Sequence, residues 1–385
     1  MRVAMITDHS TTDNRVDGGV EAVTKYLVDA LKQLGTVDLH TVSFSYEDRS
    51  ERQVKADGYT QHVLPGSRLG TITAFRRDQY SFNSWLRKLR PDIVHAQGAG
   101  HSGILAARSS YPSVITVHGI IAEEARFFVK LSRRLQYRAL ALLSDYYCIK
   151  NAKHTILISP YVENYFSGRL GGKHYLIPNA ISDEFFSIPR SEEPGCILFA
   201  GRVLPLKGVG DLIKAVSIVS NMHRIELVLA GSLREKEYVD KLARQVSELG
   251  LEDVVHLRGV LDEVSLRREL GRCAVLVLPS YQETAPMVVA EAMAAGAPVI
   301  ATNVGGIPYQ VRDGVTGFLI DPGNVEGLAD RLSMLLSDEN LRRSLGEAAK
   351  VTASEEYSAE NVAQRTIEVY RRVIDEASKF GADRL

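Results

Sequence analysis

Two carboxylates bracket the segment of this chain best suited to chemistry, Glu283-Thr-Ala-Pro-Met-Val-Val-Ala-Glu291. The apolar run before it, Ala274–Leu278, reads as a buried strand. Thr284 is placed to cap a helix, Pro286 suits a first helical turn, and Gly296 with Pro298 stops it. Val299–Ala301 reads as the next strand, so the segment is a β-α-β unit with Glu283 on the loop at a strand's carboxyl end. Glu291 is expected about two turns into the helix, roughly 8 Å from its start at ~1.5 Å per residue. Uncapped N–H groups between the two carboxylates form an anion site. A ligand with hydroxyls at both ends and phosphate in the middle fits that layout. Two solvated glutamates on an ordinary β-α-β unit are the competing reading, and the rest of the chain must separate the two.

Other segments repeat the theme. Gly201-Arg202 ends a strand, and Lys207-Gly208 follows in the loop before a helix. A planar guanidinium and a point-charge ammonium on one loop can converge on a diphosphate. Gly18-Gly19-Val20 lies between the first strand and an amphipathic helix, where glycines allow close approach of backbone to phosphate. It is not the G-x-G-x-x-G dinucleotide fingerprint, which follows no strand here. His118, with Gly119 after it, ends the strand Val114–Val117, and His95 has a similar setting. For both, a satisfied structural histidine competes with a ligand contact. Ile177-Pro178-Asn179-Ala180 and the Thr302–Pro308 segment, with Gly305-Gly306, read as scaffold turns. Arg126–Tyr147 is rich in Arg, Phe, Leu and Tyr. It reads either as a basic amphipathic helix touching an anionic membrane or lipid-linked acceptor, or, preferred, as a packed helix with solvated arginines.

The elements that must position these residues alternate. Val3–Thr7, Val37–Ser43, Ile93–His95, Val114–Val117, Ile156–Ser159 and Tyr175–Ile177 read as strands in the first half. Cys196–Ala200, Glu226–Ala230, Val254–Leu257, Ala274–Leu278 and Val299–Ala301 do so in the second. Helical patterns such as Val20–Leu34, Asp211–Val219, Glu237–Glu248 and Pro286–Ala295 separate them, and Ser358 is placed to cap a last helix to about Lys379. Alternation of this kind predicts parallel sheets and twin Rossmann-like domains, and 385 residues suit two domains. The boundary is expected within Ser182–Pro194. In such sheets ligands bind beyond the carboxyl ends of the strands, so residues just after strands carry weight.

Bulk properties exclude several classes. The net charge of −1 provides no field for nucleic acid. Cys148, Cys196 and Cys273 are scattered, form no metal-ligand spacing and suit a reducing compartment. The apolar run at the amino terminus is too short for a signal peptide, and no uncharged stretch reaches the ~20 residues that span a bilayer. A cytoplasmic location, with peripheral contact at the inner membrane face, is the expectation.

Taken together, these segments resemble the retaining nucleotide-sugar glycosyltransferases of family 4, with the GT-B fold of two facing Rossmann-like domains. The residues carrying the resemblance run almost end to end: Gly18-Gly19, Val117-His118-Gly119, Ile177-Pro178-Asn179, Gly201-Arg202 with Lys207-Gly208, Gly259-Val260, Glu283 to Glu291 with Ala292–Gly296, Gly305-Gly306, Asp313-Gly314-x-x-Gly317 and the final helix bearing Tyr370. The resemblance implies an acceptor-binding domain over 1–185, a donor-binding domain over 190–357 and a helix over 358–385 crossing back to the first domain. It implies that Arg202 and Lys207 neutralise the donor diphosphate and that Glu291 accepts hydrogen bonds from the ribose. Glu283 would contact hydroxyls of the transferred sugar. The backbone around Gly201, Thr284, Ala285, Pro286, Met287 and Val288 would bind sugar and phosphate oxygens. Gly18 and Gly19 would close on the diphosphate, His118 would touch the donor sugar, and Val260 with Leu261 would meet the base.

The implied reaction moves a hexosyl group, with uridine donors favoured over guanosine, to a glycan or lipid-linked hydroxyl in surface-polysaccharide or glycoconjugate synthesis. It needs no cofactor and no metal. Two departures from the family pattern bear on the donor. Thr284-Ala285 follows the first glutamate where many members have glycine, and Tyr309 stands where glutamate is frequent. A GT-B sugar-nucleotide epimerase, a nicotinamide-dependent dehydrogenase and a non-enzymatic sugar-binding protein are the alternatives, and the missing dinucleotide fingerprint counts against the dehydrogenase.

Overall fold

A computed structural model describes residues 1–8, 18–48, 50–67, 70, 73–124 and 131–382. The part of the basic segment over 126–130 lies outside the described residues. The chain divides into two compact units, one formed by Met1–Ala180 with the chain from Ala359 onward, the other by Ile181–Ser358.

The second unit is a six-stranded sheet. Its strands are β9 (Cys196–Ala200), β10 (Glu226–Ala230), β11 (Val255–Gly259), β12 (Val275–Leu278), β13 (Val299–Thr302) and β14 (Gly317–Ile320), in the order β11-β10-β9-β12-β13-β14. All pairings are parallel, with Leu198 opposite Leu276 and Val277 opposite Ile300. Helices cover both faces of such a sheet, which is why Cys196-Ile-Leu-Phe-Ala and Val275-Leu-Val-Leu are apolar throughout rather than alternating. Every one of these side chains is buried. The order reverses between β9 and β12, and there the loops leaving the two strands turn to opposite sides and open a crevice.

The first unit carries β1 (Arg2–Ile6), β2 (Asp38–Ser45), β3 (Arg52–Ala56), β4 (Tyr59–Pro65), β5 (Ile93–Gln97), β6 (Ser113–Val117), β7 (His154–Leu157) and β8 (Lys173–Leu176). Their order is β3-β4-β2-β1-β5-β6-β7-β8, with reversal between β1 and β5. All pairs are parallel except the β3–β4 hairpin. That hairpin and β14 extend the predicted strand set. The fold class expected from the sequence, two parallel-sheet α/β domains, is the one found.

The final helix, Ala359–Ala382, belongs to the first unit. Tyr370 is fully buried on it, and its hydroxyl lies 2.6 Å from Nδ1 of His95 on β5. Arg365 donates to the Leu176 carbonyl at 2.6 Å, and Lys173 pairs with Glu376 at 2.7 Å. The two surface contacts are worth little in water, whereas a buried hydroxyl that loses its partner is costly. Tyr370→Phe is therefore expected to lower unfolding free energy by about 1–2 kcal/mol. Lys173→Ala is expected to change it by less than about 0.5 kcal/mol. Denaturant titration of both variants checks the order.

Candidate functional site

Two loops meet at the reversal point of the second sheet. The first leaves β9 through Gly201 and Arg202, makes one tight turn over Pro205–Lys207, and enters the helix Val209–Val219 at Gly208. Gly208 has φ 66°, and a Cβ there would sit 2.0 Å from the Pro279 carbonyl oxygen, so both backbone angle and crowding require glycine. The second loop, from Pro279 to Pro286, leaves β12. The Tyr281 N–H donates to the Leu206 carbonyl at 2.8 Å, and the Tyr281 hydroxyl donates to Asp211 at 2.6 Å. Lys207 Nζ pairs with Glu283 Oε1, and the Ser280 hydroxyl donates to the same oxygen at 2.7 Å. Glu283 Oε2 has no donor among the described residues, so one carboxylate oxygen is fixed and the other is left open.

The segment after β13 clamps this second loop. Gly306 N–H donates to the Glu283 carbonyl at 3.1 Å. A Cβ on Gly305 would lie 1.8 Å from the Glu283 carbonyl oxygen, and one on Gly306 1.7 Å from that of Thr284. The scaffold role expected for this segment is thus a role in fixing the carboxylate loop.

Helix onset differs from the expectation. The helix is Met287–Ala294, with Pro286 as the residue before it in extended conformation (ψ 124°). Thr284 is not its cap and Pro286 is not within its first turn. The clamp on Glu283 and Thr284, together with Gln310 Nε2 donating to the Pro286 carbonyl at 3.3 Å, holds the chain extended up to the proline. Glu291 consequently lies one turn into the helix, about 6 Å at 1.5 Å per residue, rather than two. No side chain caps the first N–H groups, from Met287 and Val288 onward.

Glu291 is buried and makes no hydrogen bond or ion pair with a described residue. Burial pushes its carboxyl up to about 8, and the nearby Glu263 carboxylate adds to the rise. Glu263 opens the helix that follows the β11 loop, so Glu291 and that loop are neighbours. On the loop, Gly259 has φ 68°, Val260 is 60% exposed and Leu261 is partly exposed. Arg202 is exposed and has no partner among the described residues. The reversal point thus gathers Arg202, the Lys207–Glu283 pair, the uncapped helix start and Glu291.

Gly18, Gly19 and His118 belong to the other unit. Gly18 precedes the helix Gly19–Leu34 in extended backbone, φ −164°, with nothing within 4 Å of a Cβ placed there. Neither crowding nor backbone angle requires glycine at that position, and Gly18 offers the helix start no side-chain cap. His118, just after β6, is nearly buried. Its Nε2 lies 2.7 Å from Gln97 Oε1 and its Nδ1 3.1 Å from Asn179 Oδ1. Burial pushes the ring down to about 4. A neutral ring has one N–H, which Gln97 accepts, and Nδ1 is then an acceptor that is satisfied with the Asn179 amide turned to present its N–H rather than its oxygen. Gln97 in turn reaches His95 at 3.2 Å, and His95 contacts Thr116 at 2.8 Å besides Tyr370. His95, pushed down to about 3 by burial, is structural. The chain Tyr370–His95–Gln97–His118–Asn179 runs from the final helix to the sheet's edge.

Comparison with known proteins agrees with this architecture. Residues 17–185 match the family described as Glycosyltransferase Family 4, and residues 181–352 match Glycosyl transferases group 1. The chain belongs to the family 4 glycosyltransferases. It is 26% identical to an uncharacterised glycosyltransferase of Methanocaldococcus jannaschii over 92% of this chain and 96% of that protein. Other curated relatives, 34% and 35% identical, match over less than half of their own length. Among solved structures, sucrose-phosphate synthase from Thermosynechococcus elongatus superposes with a TM-score of 0.79 at 21% identity, covering 97% of this chain and 99% of that one. An Anabaena protein crystallised with UDP and glucose superposes with a TM-score of 0.73 at 20% identity, covering 97% and 100%. These solved structures share the GT-B fold with the chain.

For this glycosyltransferase, sequence reasoning missed Ser280, Tyr281 and Gln97. Ser280 was legible in principle as a hydroxyl directly after a buried strand. Gln97 was not, because its partners lie on neighbouring strands. In the segment Arg126–Tyr147, read with preference as a packed helix with solvated arginines, the described helix Leu131–Ser144 leaves Leu131, Leu135 and Leu142 69%, 56% and 75% exposed.

The titrations have opposite signs. Folded Glu291 holds a proton that the unfolded chain releases, so its contribution to stability is lost as pH rises from about 4.5 to about 8. His118 refuses a proton that the unfolded chain takes up, so stability is lost as pH falls from about 6.5 to about 4. Glu291→Gln is expected to raise the melting temperature at pH 8, by the equivalent of a few kcal/mol at most, and to leave it unchanged below pH 4.5. His118→Gln should flatten the acid limb instead. Thermal unfolding across pH 4–8 measures both.

Proposed function

We propose that this protein is a retaining, metal-independent hexosyltransferase using a nucleoside-diphosphate sugar, with uridine donors favoured, and a glycan or lipid-linked hydroxyl as acceptor. The observation that carries the proposal is the grouping at the sheet reversal: Lys207 already set against Glu283, an uncapped helix start, and an exposed Arg202 and a buried Glu291 that have no partner among the described residues. The donor falls to the segment 190–357 and the acceptor to 1–185. The Anabaena neighbour solved with UDP and glucose supports a nucleotide ligand.

Each group has a task. Glu291 accepts from two ribose hydroxyls, which replace the water lost on burial. Arg202, Lys207 and the N–H groups of Met287 and Val288 face the diphosphate. Glu283 Oε2 accepts from a hydroxyl of the transferred sugar. In the transfer the anomeric carbon loses its bond to the β-phosphate oxygen, which keeps the electron pair. The acceptor oxygen bonds the same face of that carbon, and its proton passes to the departing phosphate oxygen. Negative charge grows on the diphosphate, so cations and fixed N–H groups aimed at it lower the barrier more than they tighten ground-state binding. Arg202 and Lys207 supply the charge a divalent cation would otherwise bring.

Calorimetric titration with UDP, GDP, ADP and NAD in EDTA tests the reading. One nucleoside diphosphate is expected to bind, and Glu291→Ala to weaken it about tenfold or more, the scale of one lost charge-assisted interaction. Arg202→Ala should lower kcat by about 10²–10³ while leaving the melting temperature unchanged. Lack of binding by every nucleotide to folded protein would overturn the proposal.

A further inference from the structure

A second cavity, of about 520 Å³, lies wholly within the first unit and begins at Gly119, the residue after His118. Its volume falls within the range of small-molecule sites. Ile121, Leu142 and Phe166 supply an apolar wall, while Arg134, Arg138 and Arg169 supply cations.

The three arginines are not equivalent. Arg169 is engaged: it pairs with Asp145 at 3.1 Å, donates to the Tyr165 carbonyl at 2.8 Å, and stacks 5.1 and 4.9 Å from the Tyr165 and Phe166 ring centres. Asp145 is further shared with Lys150 at 3.6 Å. The remaining acid, Glu123, accepts from the Tyr165 hydroxyl at 3.4 Å. Arg134 and Arg138 have no hydrogen-bond or ion-pair partner among the described residues. They are four residues apart on the helix Leu131–Ser144, hence on one face one turn apart, where like charges repel each other. Two unpartnered guanidinium forks opening into one cavity leave an excess of positive charge that an anion would offset.

We propose that this cavity binds the acceptor and that the acceptor carries a phosphate monoester, held between Arg134 and Arg138. A carboxylate offers one planar edge and suits a single fork. A tetrahedral dianion presents three oxygens and can bridge two forks a helical turn apart. The apolar wall receives the ligand's carbon frame, and the cavity's start beside His118 brings the ligand's hydroxyls to the strand end. The proposal rests on the transferase reading for the word acceptor, but the binding site itself does not depend on it.

Ligand-observed ³¹P line broadening on the full-length protein tests it, without donor, using glucose 6-phosphate and monomeric dihexanoyl phosphatidic acid as probes and saturation transfer to glucose as the neutral control. Either probe is expected to bind, glucose to bind at least about tenfold more weakly, and R134Q/R138Q to weaken the phosphate probe about tenfold or more with no change in melting temperature. Binding of glucose 6-phosphate assigns a soluble acceptor, and binding of the phosphatidic acid alone assigns a lipid-borne phosphate. Binding of neither probe, or binding that survives R134Q/R138Q, overturns the proposal. Binding lost in R202Q but kept in R134Q/R138Q overturns it too, because the phosphate then sits at the reversal-point loops. Parallel UDP titration keeps the readings apart: UDP binding without probe binding sinks only the cavity proposal, and the converse sinks only the transferase reading.

Discussion

The ion pair between Lys207 and Glu283 joins the two loops that part at the sheet reversal, and the site's geometry follows from it. Both side chains are largely withdrawn from water. Desolvation penalises each charge alone, so removing either partner would strand the other. The pair is reinforced where it is weakest: Ser280 shares the bonded carboxylate oxygen, and the backbone bond from Tyr281 to Leu206 runs parallel to it. With Lys207 set against Glu283, Arg202 is the cation on these loops that has no partner among the described residues. A diphosphate entering the crevice would therefore meet one free guanidinium and one ammonium already oriented, which lowers the entropy of assembling the site.

Burial acts on two polar side chains, one in each unit, in opposite ways. Glu291 and His118 are both removed from solvent, and both are pushed toward neutrality, the acid upward and the base downward. Their partners differ. His118 is held on both nitrogens by Gln97 and Asn179, so its ring orientation is set before any ligand arrives. Glu291 has no such partner among the described residues, so its carboxyl is left without a hydrogen bond. In the proposed role, donation from a ribose would stabilise the carboxylate and draw its titration back down, so ligand binding and proton release would be coupled at that residue.

How much of this could be read from the sequence depends on what each signal reports. Five of the six strands of the second unit were legible, most plainly β9, β12 and β13, because a parallel sheet covered on both faces leaves uninterrupted apolar segments. β14 was passed over because Gly317-Phe-Leu-Ile is short and its glycine masked the run. The β3–β4 hairpin was hidden by its composition: Arg52–Ala56 is charged and mostly exposed. Asp57-Gly58, with Gly58 at φ 77°, was the available signal, since that dipeptide favours the tight turns of hairpins. Arg202, Lys207, Glu283 and Glu291 were accessible because each follows a strand or opens a helix. The network behind His118 was not, because Gln97, His95 and Tyr370 come together only through strand order and the return of the final helix.

The Thr284-Ala285 departure from the family pattern has a structural counterpart. Glycine after the first carboxylate would ease close backbone approach on the loop itself. Here the approach is made from the other side: Gly305 and Gly306 bring their Cα atoms against the carbonyls of Glu283 and Thr284, at distances no side chain on the β13 loop could tolerate. The space demanded by the contact is thus supplied by the clamping segment, and residues 284 and 285 are free to carry side chains. The same contact keeps the loop extended to Pro286 and delays the helix, which places Glu291 one turn in and close to the β11 loop. A departure within the carboxylate motif is therefore balanced across two strands, and the loop before the buried acid is held by glycines distant from it in sequence.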